Sequence, residues 1–181
     1  METLKFLENS RKRKLRKAIL EDVDQFNPRY VLDNGAGPLN GKGSFDYSLT
    51  GAKITACDIL GGINSEKLPY NDSQFDLVVS AGVLQYLDNP NKALQECWRV
   101  LRENGILILT TFNINSWMKV FFPSTWKLEK KMFNPNYIVK YIEQFNFKLI
   151  KEARYDLSFI PKKYKSELCY VFQKRKEEIL K

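Results

Sequence analysis

Two short motifs contain residue types that bind ligands. Asp33-Asn34-Gly35-Ala36-Gly37 follows one apolar run, and Asp58 ends another. Glycine suits a turn in which φ is positive or in which a ligand approaches the backbone closely. A carboxylate at a strand end can accept hydrogen bonds from both ribose hydroxyls of an adenosine group. The two motifs therefore indicate a nucleoside site, although the glycine loop alone is equally compatible with a tight turn.

The spacing of the glycines argues against a dinucleotide or a triphosphate ligand. A dinucleotide fingerprint would place its third glycine at position 40, where the sequence has Asn40. The phosphate-cradling sequence GxxxxGK[ST] does not occur in the chain. The loop therefore fits a nucleoside without a pyrophosphate better than NAD or ATP.

The composition excludes several kinds of catalytic and metal site. The 181 residues include no histidine, which excludes Ser-His-Asp triads, Cys-His dyads and His-ligated metals. Cys57, Cys97 and Cys169 are scattered, and no pair has metal-ligand spacing. The N-terminus has no secretory apolar region, and no apolar run approaches the roughly 20 residues that span a bilayer. We therefore expect a cytoplasmic protein with reduced cysteines, no metal site and no transmembrane segment.

Strands that alternate with helices must position these motifs. Apolar runs predict strands at residues 30–33, 53–58, 75–80 and 105–112, and two more at about 147–157 and 168–174. One helix is predicted from Asn89, which can cap it, to a stop at Asn104-Gly105, and another from about Pro135 to Phe145. This order predicts an α/β domain with a mostly parallel sheet, and the last two strands suggest an antiparallel edge.

The N-terminal segment, residues 1–28, is basic and has helical apolar spacing over residues 3–26. Six of the seven residues from Arg11 to Lys17 are cationic. This cluster is either a solvated helix face or a surface that attracts an anionic partner such as nucleic acid, phospholipid or an acidic substrate. No RNA-binding signature accompanies it. The remaining residues, 29–181, form the predicted main domain.

The sequence from Leu68 to Leu107 closely resembles the class I S-adenosylmethionine-dependent methyltransferases of the type 11 group. The segment LPYNDSQFDLVVS, the RVL of the following helix and Gly105 are similar to that family's central pattern. VLDNGAG resembles its first motif and ACD its second. The resemblance covers roughly residues 29–175. It implies a Rossmann-like three-layer sandwich, a seven-stranded sheet with an antiparallel last strand, and S-adenosyl-L-methionine as cofactor.

The resemblance also assigns roles to individual residues. Asp33 would orient the glycine loop and the cofactor's amino group, and Asp58 would accept the ribose hydroxyls. Asn64 would meet the adenine amino group, and Ser80 would face the sulfonium. The implied cofactor-binding residues are Asp33, Gly35, Gly37, Asp58, Asn64, Ser65 and Ser80.

The sequence departs from the family pattern at three places. Pro38-Leu39 replaces the end of the glycine loop, and Gln85 stands where many relatives have histidine. Only five residues separate Asp58 from Asn64, so the third strand must be short or missing. These changes are compatible with a compact subgroup and with a weakened cofactor site.

Without histidine, catalysis would rest on alignment of the nucleophile or on another base. Tyr86, Asn113 and Asn115 are weak candidates for a catalytic role. Residues 113–133 include an aromatic segment that is either a substrate-covering lid, a helix packed on the core, or a membrane or partner contact. Three functions remain open: a methyltransferase for a small or lipid-like acceptor, a non-catalytic methyltransferase-like module, and an RNA methyltransferase.

Overall fold

Helices and strands alternate along most of the described chain, as the sequence predicts. The computed structural model describes residues 2–37, 45–48, 50–117, 133–156 and 160–176, with side chains in the first helix from residue 13 onward. The helices with described bounds are α1 (Glu2–Phe26), α2 (Pro90–Val100) and α3 (Pro135–Glu143). The strands are β1 (Tyr30–Asn34), β2 (Lys53–Cys57), β3 (Phe75–Ala81), β4 (Leu101–Phe112), β5 (Phe147–Tyr155) and β6 (Glu167–Lys174).

The strands form one mixed sheet in the order β2-β1-β3-β4-β6-β5. The first four are parallel, whereas β6 is antiparallel to both β4 and β5, which confirms the predicted antiparallel edge. The described residues contain six strands rather than the seven that the resemblance implies. After β2 the chain makes only a 3-10 turn, Ile59–Gly61, because five residues are too few for a helix and a third strand.

Successive side chains along each strand point to opposite faces of the sheet, and an apolar layer packs against each face. On one face, Val31, Leu77 and Ile108 pack with Ile19 and Val23 of α1. α1 therefore packs directly on this face of the sheet.

The opposite face is covered by α2 and α3. Leu32, Val78 and Leu107 lie there in one cluster with Leu94 of α2 and Ile138 of α3. Both faces are therefore buried, which explains the near-continuous apolar runs of the central strands. The three-layer sandwich expected from the sequence is confirmed.

Helix α2 ends four residues earlier than the sequence predicts. Leu101 continues the apolar spacing of the helix, but in the structure it begins β4 and pairs with Phe75. Leu101 is fully buried in this position, so apolar spacing alone does not distinguish the two conformations. The Lys174 ammonium donates to the carbonyl oxygens of Trp98 at 2.8 Å and Leu101 at 2.7 Å, and so satisfies the helix end.

Candidate functional site

The carboxyl ends of β1, β2 and β3 meet where the order of strands reverses. β1 lies between β2 and β3, so successive connections leave it in opposite directions. Ligands bind open α/β sheets in the crevice at such a switch point. Five predicted cofactor residues lie at these strand ends: Asp33, Gly35, Gly37, Asp58 and Ser80.

The glycine loop after β1 is held against the end of β2. The backbone nitrogens of Gly35 and Ala36 both donate to the carbonyl oxygen of Cys57, at 2.8 and 3.0 Å. Gly35 has a φ of +88°, and a Cβ added there would lie 2.2 Å from Val83 Cγ2. Both the backbone angle and the neighbouring Val83 therefore require glycine at position 35.

Asp58 connects the glycine loop to the turn that follows β2. Its Oδ2 accepts a hydrogen bond from the Gly37 nitrogen at 3.0 Å, and its Oδ1 accepts one from the Leu60 nitrogen at 2.9 Å. The half-buried carboxylate is therefore held in place by two backbone donors. Because each carboxylate oxygen can accept more than one hydrogen bond, Asp58 retains capacity for a ligand.

Asp33 is a buried acid with an unused acceptor. Only 3% of the residue is exposed, and its Oδ1 has no hydrogen-bond partner among the described residues. The pKa of this carboxyl is raised to about 6. Burial is the largest cause, the nearby Tyr47 hydroxyl partly opposes it, and the charge of Asp58 adds to the rise. Tyr47 is close enough to influence this pKa, but its hydroxyl does not form a hydrogen bond of normal geometry. A cationic ligand group would satisfy the unused oxygen.

Asn64 and Ser65 have different environments although they are adjacent. Asn64 is exposed, and its Oδ1 accepts a hydrogen bond from the Glu66 nitrogen at 2.8 Å. Ser65 is buried, and its hydroxyl donates to Asn34 Oδ1 at 2.7 Å. Of these two predicted cofactor residues, only Asn64 has an exposed side chain.

Asn34 connects several elements on this side of the site. The sequence pattern places it in the glycine loop and predicts no separate role for it. It is buried at the end of β1, where its Oδ1 also accepts from Cys57 Sγ at 3.6 Å. Its Nδ2 donates to Cys97 Sγ at 3.8 Å. Asn34 therefore links the ends of β1 and β2 to α2 and to the loop at Ser65. A polar residue that extends a buried apolar strand is the signal that indicates such a role.

The loop after β3 lies beside the predicted sulfonium position. Ser80 is 2% exposed within β3. Tyr86 is 48% exposed, whereas its neighbour Gln85 is completely buried. Gln85 Oε1 accepts a hydrogen bond from the Thr111 hydroxyl at 3.2 Å. The loop therefore extends from the end of β3 to the end of β4.

Asn113 connects the end of β4 to the segment before β6. Its Nδ2 donates to the carbonyl oxygens of Lys163 at 3.0 Å and Lys165 at 2.8 Å. Its Oδ1 accepts from the Asn115 nitrogen at 2.9 Å. The donors and acceptor of Asn113 are therefore used within the fold, whereas the Asn115 side chain is exposed.

The first residues of the predicted lid are anchored to the same segment. Trp117 Nε1 donates to Asp156 Oδ2 at 2.9 Å, and that oxygen also accepts from the Ser166 nitrogen at 2.8 Å. The hydroxyls of Ser116 and Ser166 lie 2.7 Å apart. The rest of the predicted lid, residues 118–132, lies outside the described residues.

The cysteines provide no reactive thiol in this structure. All three are buried and unpaired. Burial raises the pKa of Cys57 to about 11 and the pKa values of Cys97 and Cys169 to about 12, so each remains a neutral thiol at pH 7. Within the described ranges, no group of three or more acidic or cysteine residues could hold a metal ion.

The basic cluster lies on α1. The described side chains Arg13, Lys14, Arg16 and Lys17 are exposed, and Lys17 forms an ion pair with Glu21 at 3.7 Å. None of the helices in the described part of the chain is long and apolar enough to cross a membrane.

The comparisons with known proteins agree with this geometry. A type 11 family model described as "Methyltransferase domain" matches residues 32–109. The 2-methyl-6-phytyl-1,4-hydroquinone methyltransferase 1, chloroplastic, of Oryza sativa subsp. japonica is 32% identical over 114 residues, which are 62% of this chain and 32% of that protein. This chain covers between 26% and 62% of the length of the first three curated relatives that it matches.

Solved structures share the fold over most of the chain. A SAM-dependent methyltransferase from Methanosarcina mazei has a TM-score of 0.66 and 20% identity, covering 88% of this chain and 98% of that one. The 1,6-didemethyltoxoflavin-N1-methyltransferase of Burkholderia thailandensis, solved with S-adenosylhomocysteine, has a TM-score of 0.65 and 16% identity, covering 97% of this chain and 86% of that one. Residues 32–109 therefore resemble the type 11 methyltransferase domain, and the chain has the fold of the class I S-adenosylmethionine-dependent methyltransferases.

Proposed function

We propose that this chain transfers a methyl group from S-adenosyl-L-methionine to a small or lipid-like acceptor. The observation that carries the proposal is the unused carboxylate oxygen of Asp33, buried beside the glycine loop and near Asp58. A buried carboxylate without a partner is costly, and a bound cation offsets that cost. S-adenosylmethionine carries an ammonium group and a sulfonium.

The residues at the switch point fit this cofactor. Asp33 would hold the ammonium group, Asp58 would accept the ribose hydroxyls, and Gly35 and Gly37 would line the methionine part. The exposed Asn64 would meet the adenine amino group. Ser65 would support the loop of Asn64 through its hydrogen bond to Asn34, at 2.7 Å.

When bound, the cofactor supplies a methyl group activated by the positive sulfur. The nucleophile must then be aligned with that methyl group, and alignment alone can provide a large part of the rate enhancement. Ser80 and the loop from Gly82 to Tyr86 would form the wall on which the acceptor is aligned. Because the chain has no histidine, any base must come from another residue type or from the solvent.

A quinol is the acceptor class that we favour. The rice relative is named for a 1,4-hydroquinone that carries a phytyl chain, and it is 32% identical over 62% of this chain. The experiment described below also distinguishes two other functions, a non-catalytic module and an RNA methyltransferase.

The exposed cations of α1 support a second, independent proposal, that this surface binds an anionic partner. Arg13, Lys14, Arg16 and Lys17 lie within two turns of one helix. Binding to anionic phospholipid vesicles should weaken steeply as salt rises, because the attraction is screened. Equal binding to neutral and anionic vesicles would contradict this proposal.

Thermal unfolding with S-adenosylhomocysteine tests the cofactor site. At 100 times its dissociation constant, the ligand should stabilise the fold by about 2.7 kcal/mol. Transfer of a labelled methyl group to hydroquinone and to tRNA, measured separately, then tests the acceptor. Absence of a thermal shift at millimolar ligand would overturn the enzyme proposal. A shift without transfer to any acceptor would favour the non-catalytic module, and transfer to tRNA would favour the RNA enzyme.

A further inference from the structure

The side chain of Gln85 is buried with an unused hydrogen-bond donor. The residue has no exposed surface, and its Oε1 accepts from the Thr111 hydroxyl at 3.2 Å. Within the described part of the chain, its Nε2 has no hydrogen-bond partner. Buried amide groups are normally satisfied, so an unpaired one needs an explanation. An apolar side chain of the same size would fill this position without leaving a donor unpaired.

The unused donor lies in the loop after β3, which the proposed function assigns to the wall of the acceptor site. At one end of the loop after β3, Val83 fills the space beside Gly35 of the glycine loop. At the other end, Gln85 reaches Thr111 near the end of β4. The loop therefore lies between the proposed cofactor site and the end of β4.

Gly82 lies directly beside the donor. A Cβ added to Gly82 would lie 3.5 Å from Gln85 Nε2, and its φ of +69° also favours glycine. The amide is thus bordered by a residue without a side chain, immediately after β3. The unpaired donor and the absence of a side chain at Gly82 are separate observations that concern adjacent atoms.

We propose that Gln85 contacts the methyl acceptor and donates a hydrogen bond to one of its oxygen atoms. This inference rests on the proposed function and names the substrate contact within it. A neutral amide N–H stabilises a phenolate, enolate or carbonyl oxygen. It cannot take up a proton at neutral pH, so Gln85 selects and orients the acceptor and is not a base. The same positive N–H end disfavours a protonated amine.

Two probes of the same ring size test the contact: 2-naphthol, which carries an oxygen, and naphthalene, which does not. Each is titrated into the chain loaded with S-adenosylhomocysteine. The wild-type chain should bind 2-naphthol at least tenfold more tightly than naphthalene. Gln85→Met, which preserves length and removes the donor, should lose that preference and keep its affinity for S-adenosylhomocysteine within twofold. Gln95→Met, on the exposed face of α2, is the matched control and should behave as wild type.

A second measurement does not depend on a variant that folds. In the ¹⁵N-labelled wild-type chain, 2-naphthol should shift the side-chain amide resonances of Gln85, whereas naphthalene should not. The inference is overturned if the wild-type chain does not prefer 2-naphthol, if Gln85→Met retains the preference, or if the Gln85 amide does not respond. Failure of the wild-type chain to bind S-adenosylhomocysteine would instead overturn the proposed function, and this inference with it.

Discussion

The Asp58 carboxylate accepts a hydrogen bond from the Gly37 backbone nitrogen at 3.0 Å, and thereby joins the turn after β2 to the glycine loop after β1. The same carboxylate caps the 3-10 turn through the Leu60 nitrogen. Asp58 thus has a structural function in the loops at the switch point as well as its proposed contact with ribose.

Replacing Asp58 with alanine should weaken the binding of S-adenosylhomocysteine at least tenfold, or about 1.4 kcal/mol. The substitution removes the proposed ribose acceptor and frees the Gly37 nitrogen. Calorimetric titration measures the affinity, and Asp24→Ala on the exposed face of α1 is the control. An Asp58→Ala chain that stays folded and binds as tightly as wild type would contradict the assignment.

The binding of S-adenosylhomocysteine should depend on the ionisation of Asp33. Burial raises the pKa of this carboxyl to about 6, so it is largely neutral at pH 5 and charged at pH 8. Affinity should therefore rise with pH through this range, because only the charged form attracts the ammonium group. Asp33→Asn should bind weakly at both pH values, and a strong pH dependence in that variant would assign the effect to another group.

The same residue should influence the stability of the ligand-free chain in the opposite direction. Because the folded-state pKa of Asp33 is raised, its stabilising contribution is complete below the unfolded pKa near 3.8 and is lost as pH rises through about 6. Asp33→Asn should therefore raise the free energy of unfolding at pH 8 by up to about 3 kcal/mol. Chemical denaturation at pH 4 and pH 8 measures this difference, and equal effects at both pH values would contradict it.

Gly35→Ala should destabilise the fold more than Gly51→Ala. Both glycines have positive φ, at +88° and +64°, but only at Gly35 would the new Cβ meet a neighbour, Val83 Cγ2. We expect Gly51→Ala to cost about 1 kcal/mol and Gly35→Ala about 2 kcal/mol or more. In denaturant titrations, adding Val83→Ala to Gly35→Ala should remove the extra loss of stability, because the new Cβ would no longer meet Val83 Cγ2. Equal losses for the two single variants would show that the contact with Val83 is unimportant.

Asn113→Ala and Asn115→Ala should separate a structural role from a direct role in activity. The buried Asn113 side chain donates to two backbone carbonyls and accepts a third hydrogen bond, so its loss should cost about 2 kcal/mol of stability. Asn115→Ala should change stability by less than about 0.5 kcal/mol because its side chain is exposed. Melting and methyl-transfer assays of both variants measure these effects. A stable Asn113→Ala chain that has lost only turnover would return Asn113 to the catalytic candidates.

Local chemistry in the sequence is sufficient to predict several elements. The predicted cap at Asn89 is confirmed, since its side chain accepts from the Lys92 nitrogen, and Asn134 caps α3 in the same way by accepting from the Asn136 nitrogen. Capping depends on residues within one turn, so it can be predicted without the rest of the fold. The short connection after Asp58 likewise predicts that the family's third strand is absent, because five residues are too few to form a helix and a strand.

Other features depend on long-range contacts that no local pattern contains. Helix α2 ends at Val100 because Leu101 pairs with Phe75, which precedes it by 26 residues. Ser65 points inward because Asn34 offers it an acceptor from another strand end.

The sequence by itself determined the residue types at the strand ends, the alternation of strands and helices, and the absence of imidazole chemistry. Only the tertiary structure decided that Asp33 would be buried with an unused oxygen and that Gln85 would retain an unused donor. Burial and hydrogen-bond satisfaction depend on everything that packs around a side chain, and those neighbours come from distant parts of the chain. The physical reason for the division is therefore range: capping and turn preferences act within a few residues, whereas desolvation and pairing are properties of the assembled fold.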